Sequence, residues 1–222
     1  MGDAIGQMLS SAIGVAISPL PLIAVILLLA TPRGRANGIA FTVGWMATLA
    51  VLGAAMLVIG GGAHSGGQPA TWTYWLKLAL GAVFALMAAK QWRDRPRPGH
   101  EARPPAWMAA IDKFTPGKAA GFSALLSGAN PKNLALTIGA AASISGATAG
   151  GGAKAVALAL FVVVASLCVL VPLAVYLLGG QKAAATLEGW KSWMGEHNAA
   201  IMITVLTVLA AKYVGDAISG LS

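Results

Sequence analysis

The chain has 222 residues, of which 57% are hydrophobic and 10% charged, and its mean hydropathy is +0.75. Soluble domains carry about 25% charged residues, so a water-soluble fold is excluded; a membrane crossing takes roughly 20 apolar residues, and six such blocks use nearly the whole length. The formal charge of +8 does not point to nucleic acid, because most of it sits beside apolar blocks, where Lys and Arg set orientation in a bilayer.

The expected fold is therefore all-α and integral to the membrane, with spans at about 4–30, 37–60, 71–90, 118–145, 153–178 and 198–219. The opening Met1-Gly2-Asp3-Ala4 lacks the basic segment of a cleaved signal peptide. Gly6 stands where a myristoylation motif needs Ser or Thr. Span 1 contains Ala16-Ile17-Ser18-Pro19-Leu20-Pro21. Pro19 lies about 20 Å from the outer start of that span at 1.5 Å per residue. Proline removes a helical hydrogen bond, so a break near mid-membrane is expected there. The next turn, Thr31-Pro32-Arg33-Gly34-Arg35-Ala36-Asn37-Gly38, resembles Thr115-Pro116-Gly117-Lys118-Ala119-Ala120-Gly121 ahead of span 4. In both, glycines four apart suit close helix packing.

Trp72, Tyr74 and Trp75 open span 3 as an outer aromatic belt, and Trp92 closes it on the inner side. Residues 91–117 hold Arg93, Arg95, Arg97, Arg103 and Lys113 among Pro96, Pro98, Pro104, Pro105 and Pro116. Such a segment has little to bury and is expected at the surface, partly disordered. It divides the chain into three-span halves, 1–90 and 118–222. Span 4 reads Ser127-Gly128-Ala129-Asn130-Pro131-Lys132-Asn133, with a second break expected at Pro131, also about 20 Å in. Span 5 carries Cys168, the single cysteine, which has no disulfide partner and reads as a small core residue. In 182–194, Leu187, Trp190 and Met194 fall three and four apart. That segment is either a short helix in the inner interface or an irregular loop with tryptophan anchors. Span 6 ends with Lys212 and Asp216, four apart on one helix face. They form an ion pair, or Asp216 serves as a proton acceptor.

Orientation follows from where the cations lie. The connections after spans 1, 3 and 5 hold Arg33, Arg35, Lys90, Arg93, Arg95, Arg97, Arg103, Lys113, Lys118, Lys182 and Lys191, eleven of the fifteen Lys and Arg. The positive-inside rule then places both termini outside and 91–117 in the cytoplasm. With three spans per half, the halves enter from opposite sides. Paired interrupted helices in a 3+3 inverted repeat are the arrangement with which secondary transporters frame a midplane site.

Lys132 is the one charged residue expected deep within a span, at a cost of at least ~2.5–3.5 kcal/mol on insertion scales. With Asn130, Asn133 and the amides freed after Pro131, it suits an anionic group such as a carboxylate, phosphate or sulfate. The alternative has Lys132 snorkelling to the interface while the asparagines satisfy broken backbone. Thr42, Thr48, Ser166, Thr204 and Thr207 read as helix-packing contacts. No cluster of ligands has metal-binding spacing, and no phosphate loop or hydrolase elbow is present. A catalytic enzyme and a resident cofactor or metal are therefore not expected.

The run Ala16-Ile17-Ser18-Pro19-Leu20-Pro21-Leu22-Ile23-Ala24, the Thr31–Gly38 turn with Phe41 and Gly44-Trp45, the Asn130-Pro131-Lys132-Asn133-Leu134 segment and the closing Lys212-Tyr213-Val214-Gly215-Asp216 resemble the GAP family. These are the peptidoglycolipid- or sulfolipid-addressing proteins, within the lysine-exporter superfamily. The resemblance implies a cytoplasmic-membrane protein for export of cell-envelope glycolipids, with Ser18, Pro19, Pro21, Asn130, Pro131, Lys132 and Asn133 as signature positions. Three functions stay open. One is a transporter that holds an envelope glycolipid or other amphipathic anion at Lys132. Another is a non-transporting subunit that docks to a large lipid exporter through 91–117, a segment also suited to anionic membrane lipids. The last is an amino-acid exporter. The small residues on spans 2 to 5 would permit a homodimer.

Overall fold

The computed structural model of the chain describes residues 2–62, 71–95, 106–147 and 150–221. Expectations for Pro96, Arg97, Pro98, Arg103, Pro104 and Pro105, and for the side chain of Trp72, lie outside the described residues. Those described form ten α-helices: α1 (Gly2–Ala16), α2 (Pro19–Leu29), α3 (Gly34–Gly62), α4 (Thr71–Arg93), α5 (Ala106–Ala110), α6 (Pro116–Gly128), α7 (Pro131–Ser145), α8 (Gly151–Ala165), α9 (Leu167–Leu178) and α10 (Ala183–Leu221).

Three helix starts share one local grammar, a small polar residue in extended conformation followed by proline. Ser18 precedes Pro19 of α2, Thr115 precedes Pro116 of α6, and Asn130 precedes Pro131 of α7. Proline fits the first helical position because its fixed φ is already helical and its missing N–H would be unpaired there anyway. Thr115 Oγ1 accepts from the Lys118 amide at 3.4 Å, and Asn130 Oδ1 accepts from the Lys132 amide at 3.0 Å. Both are N-caps in the usual sense.

Two helices are each long and apolar enough to cross a membrane alone, Gly34–Ile59 within α3 and the whole of α10. Two bent pairs qualify together: Met8–Ala16 with Pro19–Leu29, bent by 48°, and α8 with α9, bent by 61°. The second bend was not expected. It falls at Ser166, whose hydroxyl turns back onto Val162 O at 2.6 Å and whose amide is shared between Val162 O and Val163 O. A serine hydroxyl in this position competes with the helical ladder. Pro172, inside α9, further removes the donor that Cys168 O would use.

Two further expectations change. Residues 182–194 are neither a separate interfacial helix nor a loop. After a single 3₁₀ turn at Gly180–Lys182, α10 runs unbroken for 39 residues, about 58 Å. No proline interrupts it, and isolated glycines such as Gly189 and Gly195 each cost only about 1 kcal/mol. The second part of the 91–117 segment is docked. Ile111 is 4% exposed, the Trp107 and Phe114 rings lie 5.1 and 5.5 Å from that of Phe122, and Asn37 Nδ2 donates to Phe114 O at 3.1 Å. Apolar residues at 107, 111 and 114 give this stretch the burial that its prolines alone do not suggest.

α10 packs most extensively on α4, and α3 on α6. α1 packs on α7 and α8, and α2 on α9, α3 and α10. Directions follow from the points of contact. Gly14 meets Leu136 and Ser18 meets Lys132, so α1 and α7 are antiparallel. Gly38 meets Leu173 and Gly53 meets Leu158, so α3 runs opposite to α8 and α9. Tyr74 meets Gly220 and Gly81 meets Ala210, so α4 and α10 are antiparallel. By contrast, Gly44 meets Ala120 and Thr48 meets Gly128, so α3 and α6 run the same way.

One of the two paired glycine motifs packs closely, since a methyl group added at Gly34 would run into Leu29 O. Gly117 and Gly121 face open space, and Gly38 packs on Leu29 and Leu173. Gly44 is tight between two helices, where an added methyl group would lie 2.7 Å from Ala120 O and 3.0 Å from Ala120 Cα. Backbone cannot yield as a side-chain tip can. Gly44→Val is therefore expected to separate α3 from α6 and cost 1–3 kcal/mol, about the usual overpacking penalty. Gly121→Ala should stay within about 0.5 kcal/mol of wild type. Denaturant-induced unfolding in mixed micelles measures both.

Candidate functional site

The interruption between α1 and α2 leaves a defined set of backbone acceptors. Pro19 and Pro21 lack the N–H groups that would bond Val15 O and Ile17 O, four residues earlier. Ser18, extended at φ −125° and ψ 105°, turns its own amide away from the helical path to Gly14 O. Three carbonyls near the end of α1 thus lose their helical partners within an apolar bundle, where each unsatisfied group is costly.

Two side chains supply the missing donors. Ser18 Oγ donates to Val15 O at 2.6 Å. Lys132 Nζ donates to Gly14 O at 2.9 Å, to Ile17 O at 3.1 Å and to Ser18 Oγ at 2.7 Å. An ammonium has three protons, and all three are used. The charge also meets the negative end of the α1 dipole. Lys132 is 1% exposed, so it does not snorkel to an interface. Among the described residues it has no carboxylate partner, and the nearby titratable side chain within electrostatic reach is Cys168 of α9.

The interruption before α7 is closed by its own asparagines. Asn130 caps the Lys132 amide, and Asn133 Nδ2 reaches back to Leu126 O at 3.2 Å. Thr137 Oγ1 donates to Asn133 O at 2.8 Å. Asn133 Oδ1, by contrast, is buried without a hydrogen-bond partner among the described residues, as are Thr42 Oγ1 and Trp45 Nε1 of α3.

Of the signature positions, Ser18, Lys132 and the carbonyls around Pro19 and Pro21 therefore meet in one place. Pro19, Pro21 and Asn133 are buried in the same region of helix ends, Asn130 is half-buried, and Pro131 is exposed. The partners that sequence reasoning missed are Gly14 O and Ile17 O. Counting four residues back from Pro21 does name Ile17 O as an orphan. No local signal ties it to a side chain 115 positions away.

Lys212 and Asp216 lie apart from this cluster. Lys212 Nζ donates to Asp216 Oδ2 at 2.9 Å, and Lys77 of α4 adds a second ammonium 3.9 Å from the same oxygen. The threonines and serine expected as helix-packing contacts behave unevenly. Thr48 and Ser166 bond back to carbonyls of their own chain turn, Gly44 O and Val162 O, while Thr204 and Thr207 are exposed.

The model of one protein family, described as "Sap, sulfolipid-1-addressing protein", matches residues 8–219. No curated protein and no solved structure matches the chain.

Replacing Lys132 with methionine keeps an unbranched stem and strands the Gly14 and Ile17 carbonyls. The expected loss is about 3 kcal/mol or more, from 1–3 kcal/mol per unsatisfied group. Asn130→Ala removes one N-cap and should cost about 1 kcal/mol. Unfolding midpoints in mixed micelles should fall in that order.

Proposed function

The chain belongs to the sulfolipid-1-addressing protein family, and from that premise we propose that it exports an anionic envelope glycolipid, or another anionic amphipathic lipid, across the cytoplasmic membrane. In this reading six crossings form a 3+3 inverted repeat: α1–α2, α3 and α4, then α6–α7, α8–α9 and α10. Antiparallel contact between the first and fourth crossings (α1 with α7), the second and fifth (α3 with α8–α9) and the third and sixth (α4 with α10) supports it, because an inverted repeat sets equivalent crossings in opposite directions. The packing pairs also exchange in kind. α1 on α8 corresponds to α6 on α3, α2 on α9 to α7 on α3, and α2 on α10 to α7 on α4.

The observation that carries the reading is Lys132, a buried ammonium with no carboxylate partner among the described residues, which links the end of α1 in one half to the start of α7 in the other. Its ligands are neutral oxygens. A sulfate or phosphate headgroup reaching this point competes with Gly14 O and Ile17 O for the same protons, and offers the charge that the carbonyls lack. Exchange of those partners releases the bond between the halves, so headgroup binding and rocking are one event. The transporter is a secondary one, driven by an ion gradient, and both termini lie outside with 91–117 in the cytoplasm.

The accessory reading, a non-transporting subunit of a large lipid exporter, rests on the basic 91–117 segment as its docking surface, and the Trp107–Phe114 end of that segment is packed against α6 of the same chain. It predicts that purified protein in proteoliposomes moves no lipid. The small-solute reading has no comparable support.

Orientation is tested in a Cys168→Ser background with a membrane-impermeant maleimide on intact spheroplasts. Ser222→Cys should be labelled and Ala102→Cys protected; the opposite pattern overturns the orientation. Function is tested by mass spectrometry of surface-extracted and whole-cell lipids from cells lacking the protein. Wild type is expected to restore a trapped glycolipid to the surface, and Lys132→Gln at matched folded amount to restore at least tenfold less. Equal rescue by both would remove Lys132 from the mechanism. A retained amino acid with unchanged lipids would replace lipid export with small-solute export.

A further inference from the structure

Lys77, Lys212 and Asp216 form a second charged group, in the seam between α4 and α10. Above and below it the helices are in close contact, Tyr74 against Gly220 on one side and Gly81 against Ala210 and Val214 on the other. Both ammoniums lean on the same oxygen, Asp216 Oδ2, at 3.9 Å from Lys77 and 2.9 Å from Lys212. The group therefore carries one uncompensated positive charge. At 3.9 Å, Lys77 Nζ is beyond hydrogen-bond distance, and it makes no hydrogen bond among the described residues; its second neighbour is the Tyr74 ring, 5.7 Å from Nζ to centroid.

The depth of the group gives that surplus a meaning. Lys77 is six residues from the start of α4, about 9 Å along the axis, next to Tyr74 and the 59%-exposed Trp75. Aromatic side chains of this kind mark the headgroup level. The three side chains are 21%, 29% and 27% exposed for Lys77, Asp216 and Lys212, so the seam is open outward while its interior flank is closed. Around it the outer surfaces of both helices are apolar, with Val83 and Leu86 on α4 and Val208 and Ile218 on α10 exposed. A half-open cationic notch at headgroup level, framed by apolar helix surface, has the chemistry of a phospholipid site: phosphate oxygens for the lysine donors, acyl chains for the helix flanks.

We propose that the α4–α10 seam binds the phosphate of one anionic membrane phospholipid through Lys77 and Lys212, with Asp216 setting how strongly. The site is separate from Lys132 and does not depend on the export reading.

Native mass spectrometry of the full-length protein, released from detergent micelles, tests this with phosphatidylglycerol as probe and phosphatidylcholine and inorganic phosphate as comparisons. Wild type should hold one phosphatidylglycerol in preference to phosphatidylcholine. Lys77→Gln should weaken that binding about fivefold, the effect of one lysine at a lipid surface. Asp216→Asn should strengthen it, because both ammoniums are then released to the phosphate. A purely structural ion pair predicts something different: both variants melt at lower temperature and bind phosphatidylglycerol as wild type does. That result overturns the proposal. Equal affinity for inorganic phosphate and phosphatidylglycerol would also overturn it, by removing the lipid from the recognition.

Discussion

Everything about the first half of this bundle turns on carbonyls that two prolines leave without donors. Pro19 and Pro21 fix which ones, Val15 O and Ile17 O, and the extended Ser18 adds Gly14 O. In water such groups would be hydrated at little cost. Inside an apolar bundle they need protein donors, and no neighbouring backbone amide is placed to serve. Lys132 meets the need because an ammonium carries three donors on a single atom at the end of a long flexible stem. An arginine would present a planar fork, and a neutral amide only two protons.

The same bond has a cost that explains its position. Lys132 stands in the first turn of α7, where a cation opposes the positive end of that helix dipole, and at the end of α1, where it complements the negative end. Its placement at the meeting of a helix start and a helix end lets the second effect offset the first. The hydrogen bond from Asn130 to the Lys132 amide holds the backbone from which the side chain departs. Ser18 both donates to Val15 O and accepts from Lys132. Hydrogen bonds linked in this way polarise one another, so the closure acts as one unit rather than as four separate contacts.

Much of this was legible in the sequence because proline and glycine act locally. Helix ends at Ser18, Thr115 and Asn130 follow from a polar residue ahead of proline, and membrane embedding follows from composition. Lys132 stood out for the same reason, a charge where charge is expensive. Its partners did not, since backbone atoms 115 and 118 positions away leave no mark on the local pattern. The bend at Ser166 was hidden because the proline that loosens it lies six residues later, and a lone serine in an apolar run reads equally well as a packing contact. Gly44 was overlooked beside the more regular glycines at 34, 38, 117 and 121. Tight approach depends on what faces a residue, and Gly121 faces nothing. The approach of Lys77 to Asp216 left no mark either, since the two stand on different helices.

α10 is longer than the bundle around it requires. A hydrocarbon core is about 30 Å thick, whereas 39 residues of unbroken helix measure about 58 Å. Its contacts with α4 near Tyr74, Lys77 and Gly81 lie towards its C-terminal end, and its N-terminal end is held as well, with Ala183 and Leu187 buried. A stiff rod gripped at both ends ties those ends together. A shift where α10 meets α4 is thereby passed along one unbroken helix to its other end, next to the Gly180–Lys182 turn that joins α9 to α10.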